Sequence, residues 1–98
     1  MYKEIKIVYC DSARDEITKI FEKLDIDKYM NLNGLEAVWA KNVKHLNTRI
    51  WPGTDSLMFL ILENEKANVL LEELREMKKT LMDGVGFFVL VSPIEEII

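Results

Sequence analysis

The sequence predicts an α+β fold of the ferredoxin-like class: β-α-β-β-α-β order, an antiparallel four-stranded sheet, and both helices on one face. Two segments carry apolar residues at helical spacing, so each helix needs one face covered. Four short segments rich in β-branched and aromatic residues read as strands, and their order among the helices is that of the split β-α-β unit. With 98 residues, 49% of them hydrophobic, the chain has material for one core, so 1–98 reads as a single domain.

Tyr2 to Tyr9, with Ile5, Ile7, Val8 and Tyr9, is the first strand, and it ends at Cys10-Asp11-Ser12. Ser12 is placed to cap the first helix, and Asp15 and Glu16 suit the positive end of its dipole. Ala13, Ile17, Ile20, Phe21 and Leu24 form its apolar stripe. After the polar connection Asp25 to Lys28, the stretch Tyr29 to Ala40 is extended. Gly34 marks a bulge within it, with the strand proper starting near Leu35 and placing Leu35, Ala37 and Trp39 on one face.

Leu57 to Leu62 is continuously apolar, as expected of a central strand covered on both faces. Asn64 is a candidate cap for the second helix, whose stripe is Ala67, Leu70, Leu71, Leu74, Met77 and Leu81. Met82 to Gly86 closes that helix with two glycines able to take positive φ, and Phe87 to Val91 is a last buried strand before Ser92-Pro93. With both helices on one side, the other sheet face is exposed in a monomer. Trp39, Phe59 and Phe87 or Phe88 would lie on it, a patch that predicts a homo-oligomer.

Between Ala37 and Thr54 stand Lys41, Lys44, His45 and Arg49 with no acid among them, in a chain of formal net charge -4. Trp51-Pro52-Gly53 closes the stretch, so the cations are expected on a loop between two strands. A positive loop on a negative body points to an anion or an acidic partner. The acidic total argues against extended nucleic-acid binding. The apolar run Leu57 to Leu62 is too short to cross a bilayer, and Lys3, Glu4 and Lys6 interrupt any signal-peptide core, so a cytoplasmic protein without direct membrane insertion is expected.

Cys10 is the single cysteine, which excludes an intramolecular disulfide and a CxxC pair. It is expected to be a small buried hydrophobe, since no base or oxyanion donor is visible beside it, and no catalytic residue is assigned. His45 is the sole histidine and is expected to be solvated. One imidazole defines no metal site within a chain, although a symmetric assembly could combine copies. Asp11, Asp55 and Glu63 are candidate oxygen donors without a supporting spacing, so no metal ligand set is assigned. The helix acids, among them Glu72 and Glu76, read as solubilising charges that pair with Arg75, Lys78 and Lys79.

Two segments carry a resemblance. DGVGFFVLVSPIEE, from Asp83 to Glu96, resembles the glycine-containing loop and last strand of the P-II signalling proteins; HLNTRIWPGTDSL, from His45 to Leu57, is similar to the strand-connecting region of shortened P-II-like proteins. The resemblance implies a homotrimer whose lateral clefts bind a small anionic ligand, typically an adenine nucleotide. It also implies a loop between the second and third strands that docks on a regulated target, such as an enzyme or a membrane transporter. Carried over, that loop is Lys41 to Gly53, with Lys44, Thr48, Arg49 and Trp51 as its partner-binding residues. The ligand-binding set is Lys41, Lys44, His45, Arg49, Asp83, Gly84 and Gly86. Backbone amides of such a turn hold phosphate oxygens without side-chain charge. The loop is shorter than in the classical regulators, and Phe87 stands where a lysine usually follows the second glycine. The alternative of the same topology is a divalent metal-binding or metal-tolerance trimer of the CutA type. Its Cys-Val-Asn turn is not found, since the chain reads Asp25-Ile26-Asp27-Lys28 there. No cofactor is specified by either resemblance.

Overall fold

The computed structural model of the chain describes residues 1–82 and 85–98. The elements run β1 (Tyr2–Cys10), a 3₁₀ turn (Asp11–Ala13), α1 (Arg14–Lys23), β2 (Met30–Leu35), β3 (Ala37–Ala40), β4 (Val43–His45), β5 (Asp55–Glu63), α2 (Asn64–Thr80) and β6 (Phe87–Pro93). Four strands form one antiparallel sheet in the order β2-β5-β1-β6, as the ferredoxin-like expectation requires. β3 and β4 pair only with each other, as a separate two-stranded hairpin.

Strand alternation sorts the sheet into two faces. Ile5, Ile7 and Tyr9 of β1 and Met58 and Leu60 of β5 point to one side, where Ile17 and Phe21 of α1 and Leu70 and Leu74 of α2 close a core with Phe87. All of these are at most 7% exposed. The opposite face carries Val8, Leu57, Phe59 and Ile61, flanked by Met30 and Leu32 from β2 and Phe88 and Leu90 from β6. Leu32 is 59% exposed and Leu90 is 55%. Met30, Leu32, Leu57 and Phe59 line an open apolar depression of about 270 Å³.

Several expectations need correction. Tyr29–Ala40 is not one strand: β2 pairs with β5 from Met30, and the chain leaves the sheet after Leu35 to build β3. Gly34 takes φ +70° where the β2–β5 register shifts, so the bulge is real but lies inside the sheet strand rather than before it. β5 is covered on one face only, because one helix layer serves a single side of the sheet. Phe87 belongs to the core and Phe88 to the open face, since neighbours on a strand point opposite ways. Beyond Phe87, Val89 is half-buried and Phe88, Leu90 and Val91 are exposed, so β6 is not buried throughout.

The helix caps also differ. Ser12 lies in the 3₁₀ turn and its hydroxyl donates to Cys10 Sγ at 3.4 Å; Ala13 precedes α1 without a side-chain cap. Asn64 is the first residue of α2, its backbone N–H held by the Met1 carbonyl at 2.9 Å. Of the two glycines expected to take positive φ, Gly86 does not, and Gly84, like Asp83, lies outside the described residues.

Candidate functional site

Three chain segments meet at one end of the sheet. The Cys10 backbone N–H donates to Gly86 O at 3.1 Å, and that of Asp11 donates to Thr54 O at 3.5 Å, so the end of β1 is tied to the entries of β6 and β5. Cys10 stands opposite Asp55 in the β1–β5 register, and paired residues share a face. Both therefore point to the open side of the sheet. Asp55 is nonetheless fully buried, because the β3–β4 hairpin folds over it.

The hairpin is fastened there by two hydrogen bonds. Trp39 Nε1 donates to Asp55 Oδ2 at 3.1 Å, and His45 Nδ1 lies 2.9 Å from the same oxygen. A buried carboxylate requires partners of this kind, since desolvation without them is costly. Trp39 comes from β3 and His45 from the end of β4, where alternation turns Lys44 outward and His45 inward. The Trp39 indole also packs edge-on against Phe88, with ring centroids 5.4 Å apart. Its other neighbour is Gly86: a Cβ built there would sit 1.9 Å from Trp39 Cε2. Gly86 is thus required by the close approach of an indole.

On the outer side of β4, Lys44 Nζ stands 5.1 Å from the centre of the Trp51 ring, a cation–π distance. The segment that follows is held by its own hydrogen bonds. The Leu46 and Thr48 N–H groups both donate to Trp51 O, Asn47 N–H donates to Gly53 O, and Trp51 N–H donates to Thr48 Oγ1. Asn47 and Gly53 supply the positive φ values this turn needs, at 54° and 91°. Arg49 and Ile50 are left outside, Ile50 at 81% exposure.

The basic stretch is therefore a hairpin followed by a closed turn. Lys41 lies in the β3–β4 turn, Lys44 and His45 lie in β4, and only Arg49, of the four, lies in the expected loop. Trp39, Ala40, Val43, Val85, Gly86 and Phe87 line a shallow groove of about 250 Å³, which brings the hairpin beside Val85 and Gly86. Of the residues assigned to ligand binding, Gly86 lines this groove, whereas Lys41 lies in the turn after Ala40 and Lys44 points to the outer side of β4. His45 faces the Asp55 carboxylate instead of solvent. Asp83 and Gly84 fall outside the described residues.

Sequence spacing missed the grouping of Cys10, His45 and Asp55, whose nearest donor atoms all lie within 4.8 Å of one another. The three are distant in sequence, and only the β1–β5 register and the hairpin bring them together. One signal was present: Asp55 stands two residues before the apolar run Leu57 to Leu62, and His45 is the sole imidazole in the chain.

Next to this group, Asp11 accepts from Thr54 Oγ1 and Ser56 Oγ, both at 2.5 Å. Desolvation works to raise its pKa, but the hydrogen bonds from Ser56 and Thr54 and the charges of Arg14 and His45 outweigh it. The carboxyl is held below its ordinary value of 3.8. A depressed carboxylate contributes stability that is complete above the unfolded value and is lost as pH falls through the folded one. The Tm gap between wild type and Asp11→Asn is therefore expected to be constant above about pH 5 and to shrink on acidification below it. A gap that widens in acid would contradict the assignment.

Neither a protein-family model nor a curated protein matches the chain by sequence. Solved structures do match. CPII from Thiomonas intermedia K12, a nitrogen regulatory PII-like protein solved with ADP and bicarbonate, superposes with a TM-score of 0.73 at 12% identity, over 93% of this chain and 83% of that one. A protein of unknown function from Pediococcus pentosaceus ATCC 25745 superposes with a TM-score of 0.63 at 15% identity, over 98% of this chain and 94% of that one. The chain thus has the fold of PII-like signalling proteins over nearly its whole length.

Proposed function

We propose that the protein is a PII-like regulator: a homotrimer that binds a small anionic effector in clefts between its subunits and signals the bound state to a protein partner through residues 41–53. The observation that carries this reading is the groove between the β3–β4 hairpin and Val85-Gly86, on the fold of a protein solved with ADP and bicarbonate. The backbone amide of Gly86 would take an oxygen of the anion, and Lys41, Lys44 and Arg49 would supply the positive charge that Phe87 does not. Binding, with no covalent step, is the protein's activity in this reading.

Assembly is supported by the open sheet face. A face that carries Leu32, Leu57, Phe59, Phe88 and Leu90 against one helix layer leaves an apolar patch of the kind that subunits cover. Partner docking is assigned to Lys44, Thr48, Arg49 and Trp51, with Ile50 at the tip as an apolar anchor among them. The target would be an enzyme or a membrane transporter. No helix among the described residues is long and apolar enough to cross a membrane.

Calorimetry against ADP, AMP, bicarbonate and small carboxylates tests the reading. Binding of at least one is expected, and silence against all of them would overturn the effector assignment. Lys44→Ala and Arg49→Ala should each weaken the bound anion about tenfold at low ionic strength. That loss should diminish as salt is raised; a loss independent of salt would show that the two residues act through structure.

A further inference from the structure

We propose that Cys10, His45 and Asp55 form a binding site for a divalent transition-metal ion of the zinc class. They offer a thiol, an imidazole and a carboxylate from three different strands, with the donor atoms mutually within 4.8 Å. Among the described residues this is the one place where three such groups converge, although the chain carries 17 acids. Zinc bonds of about 2.0–2.3 Å put tetrahedral donors about 3–4 Å apart, a span close to the observed separations. The His45–Asp55 separation of 2.9 Å is already close to that span.

The surroundings also fit a metal site. Trp39 Nε1 holds one Asp55 oxygen at 3.1 Å, which is the outer hydrogen bond that orients a ligating carboxylate. The side chain of Asp55 is fully enclosed, while that of His45 is 18% exposed and Cys10 is half-buried, so an ion enters from the thiol side. A thiolate with an imidazole selects zinc, cobalt or copper over magnesium and calcium, which prefer all-oxygen sites. On binding, the thiol releases its proton to solvent as the sulfur–metal bond forms, and neutral His45 presents a ring lone pair. Three protein donors leave a fourth position for water or for an oxygen of a small ligand.

Every donor belongs to one chain, so the site stands apart from the effector and assembly readings, and failure of anion binding leaves its test intact. The test is titration of the purified, chelator-stripped, full-length protein with Co²⁺. One equivalent per chain is expected, with a thiolate-to-cobalt charge-transfer band in the near ultraviolet and visible bands of four-coordinate intensity. Zn²⁺ should erase both and raise Tm. Cys10→Ser should abolish the charge-transfer band, and His45→Gln should weaken binding at least as much as loss of an outer-shell partner. Trp39→Phe should keep the band and cost about 10- to 100-fold in affinity.

Because Asp55 is buried, its variants can unfold on their own account, so the partly exposed Cys10 and His45 carry the test, with far-ultraviolet circular dichroism as the check on folding. A folded wild type without cobalt bands or a zinc-dependent Tm overturns the proposal. So does a cobalt spectrum that Cys10→Ser leaves unchanged.

Discussion

Gly86→Ala is expected to destabilise the protein by about 1–3 kcal/mol and to drive Trp39 out of its seat. The added methyl would lie 1.9 Å from Cε2, 2.3 Å from Cδ2 and 2.4 Å from Cζ2 of the indole, distances at which no side chain survives without displacement. Trp39 cannot slide aside cheaply. Its Nε1 is bonded to Asp55 and its ring packs against Phe88, so the hairpin would lift or the entry to β6 would shift. Urea unfolding gives the energy. Tryptophan emission in a Trp51→Phe background, where Trp39 is the remaining indole, gives the displacement as a red shift. The double variant Gly86→Ala with Trp39→Ala should cost less than the sum of the singles, because the clash is then absent. Additive costs would show that Gly86 is constrained by something other than the indole.

Asp55→Ala should have a comparable effect for a different reason. It deletes the single acceptor shared by Trp39 Nε1 and His45 Nδ1, and leaving such groups without a partner costs about 1–3 kcal/mol each when water cannot replace it. Both donors are half-buried, so partial rehydration moderates the loss. The hairpin β3–β4 has no pairing with the main sheet, and these two bonds are its polar attachment to β5. Limited proteolysis should cut Asp55→Ala within residues 37–53 well before wild type, while Asp55→Asn, which keeps an acceptor, should fall between them. Equal cleavage of all three proteins would mean that the packing of Trp39 against Phe88 and Gly86 fastens the hairpin unaided.

The sheet and helices were legible because each rests on a local pattern. Ile5, Ile7 and Tyr9 alternate, Ile17 and Phe21 recur at four residues, and Leu70, Leu74 and Met77 repeat at helical steps; these periods fix which side is buried whatever the partner. The division of Tyr29–Ala40 was not legible. β2 and β3 are both extended, and whether a strand pairs with β5 or with a hairpin partner depends on long-range hydrogen bonds. The role of Gly86 was hidden likewise, since its clash partner Trp39 is remote in the chain and only the folded hairpin brings it near.

The candidate site divides in the same way. That Lys41, Lys44 and Arg49 share one acid-free stretch follows from composition along the chain, and the structure keeps Lys44 and Arg49 on the outside of the hairpin and its turn. That His45 turns inward to Asp55 follows from strand alternation, which no reading of the segment as a loop could supply. The opposition of Cys10 and Asp55 is a register fact, set by the whole of the β1–β5 ladder.

The central proposal is that the open sheet face, from Leu32 across Phe59 to Leu90, is covered by sister copies, which would form the proposed effector clefts between subunits. Multi-angle light scattering on the purified protein at micromolar concentration tests this most directly. The predicted result is a single species of three times the 11.5 kDa chain mass. A well-folded particle of 11.5 kDa would contradict it.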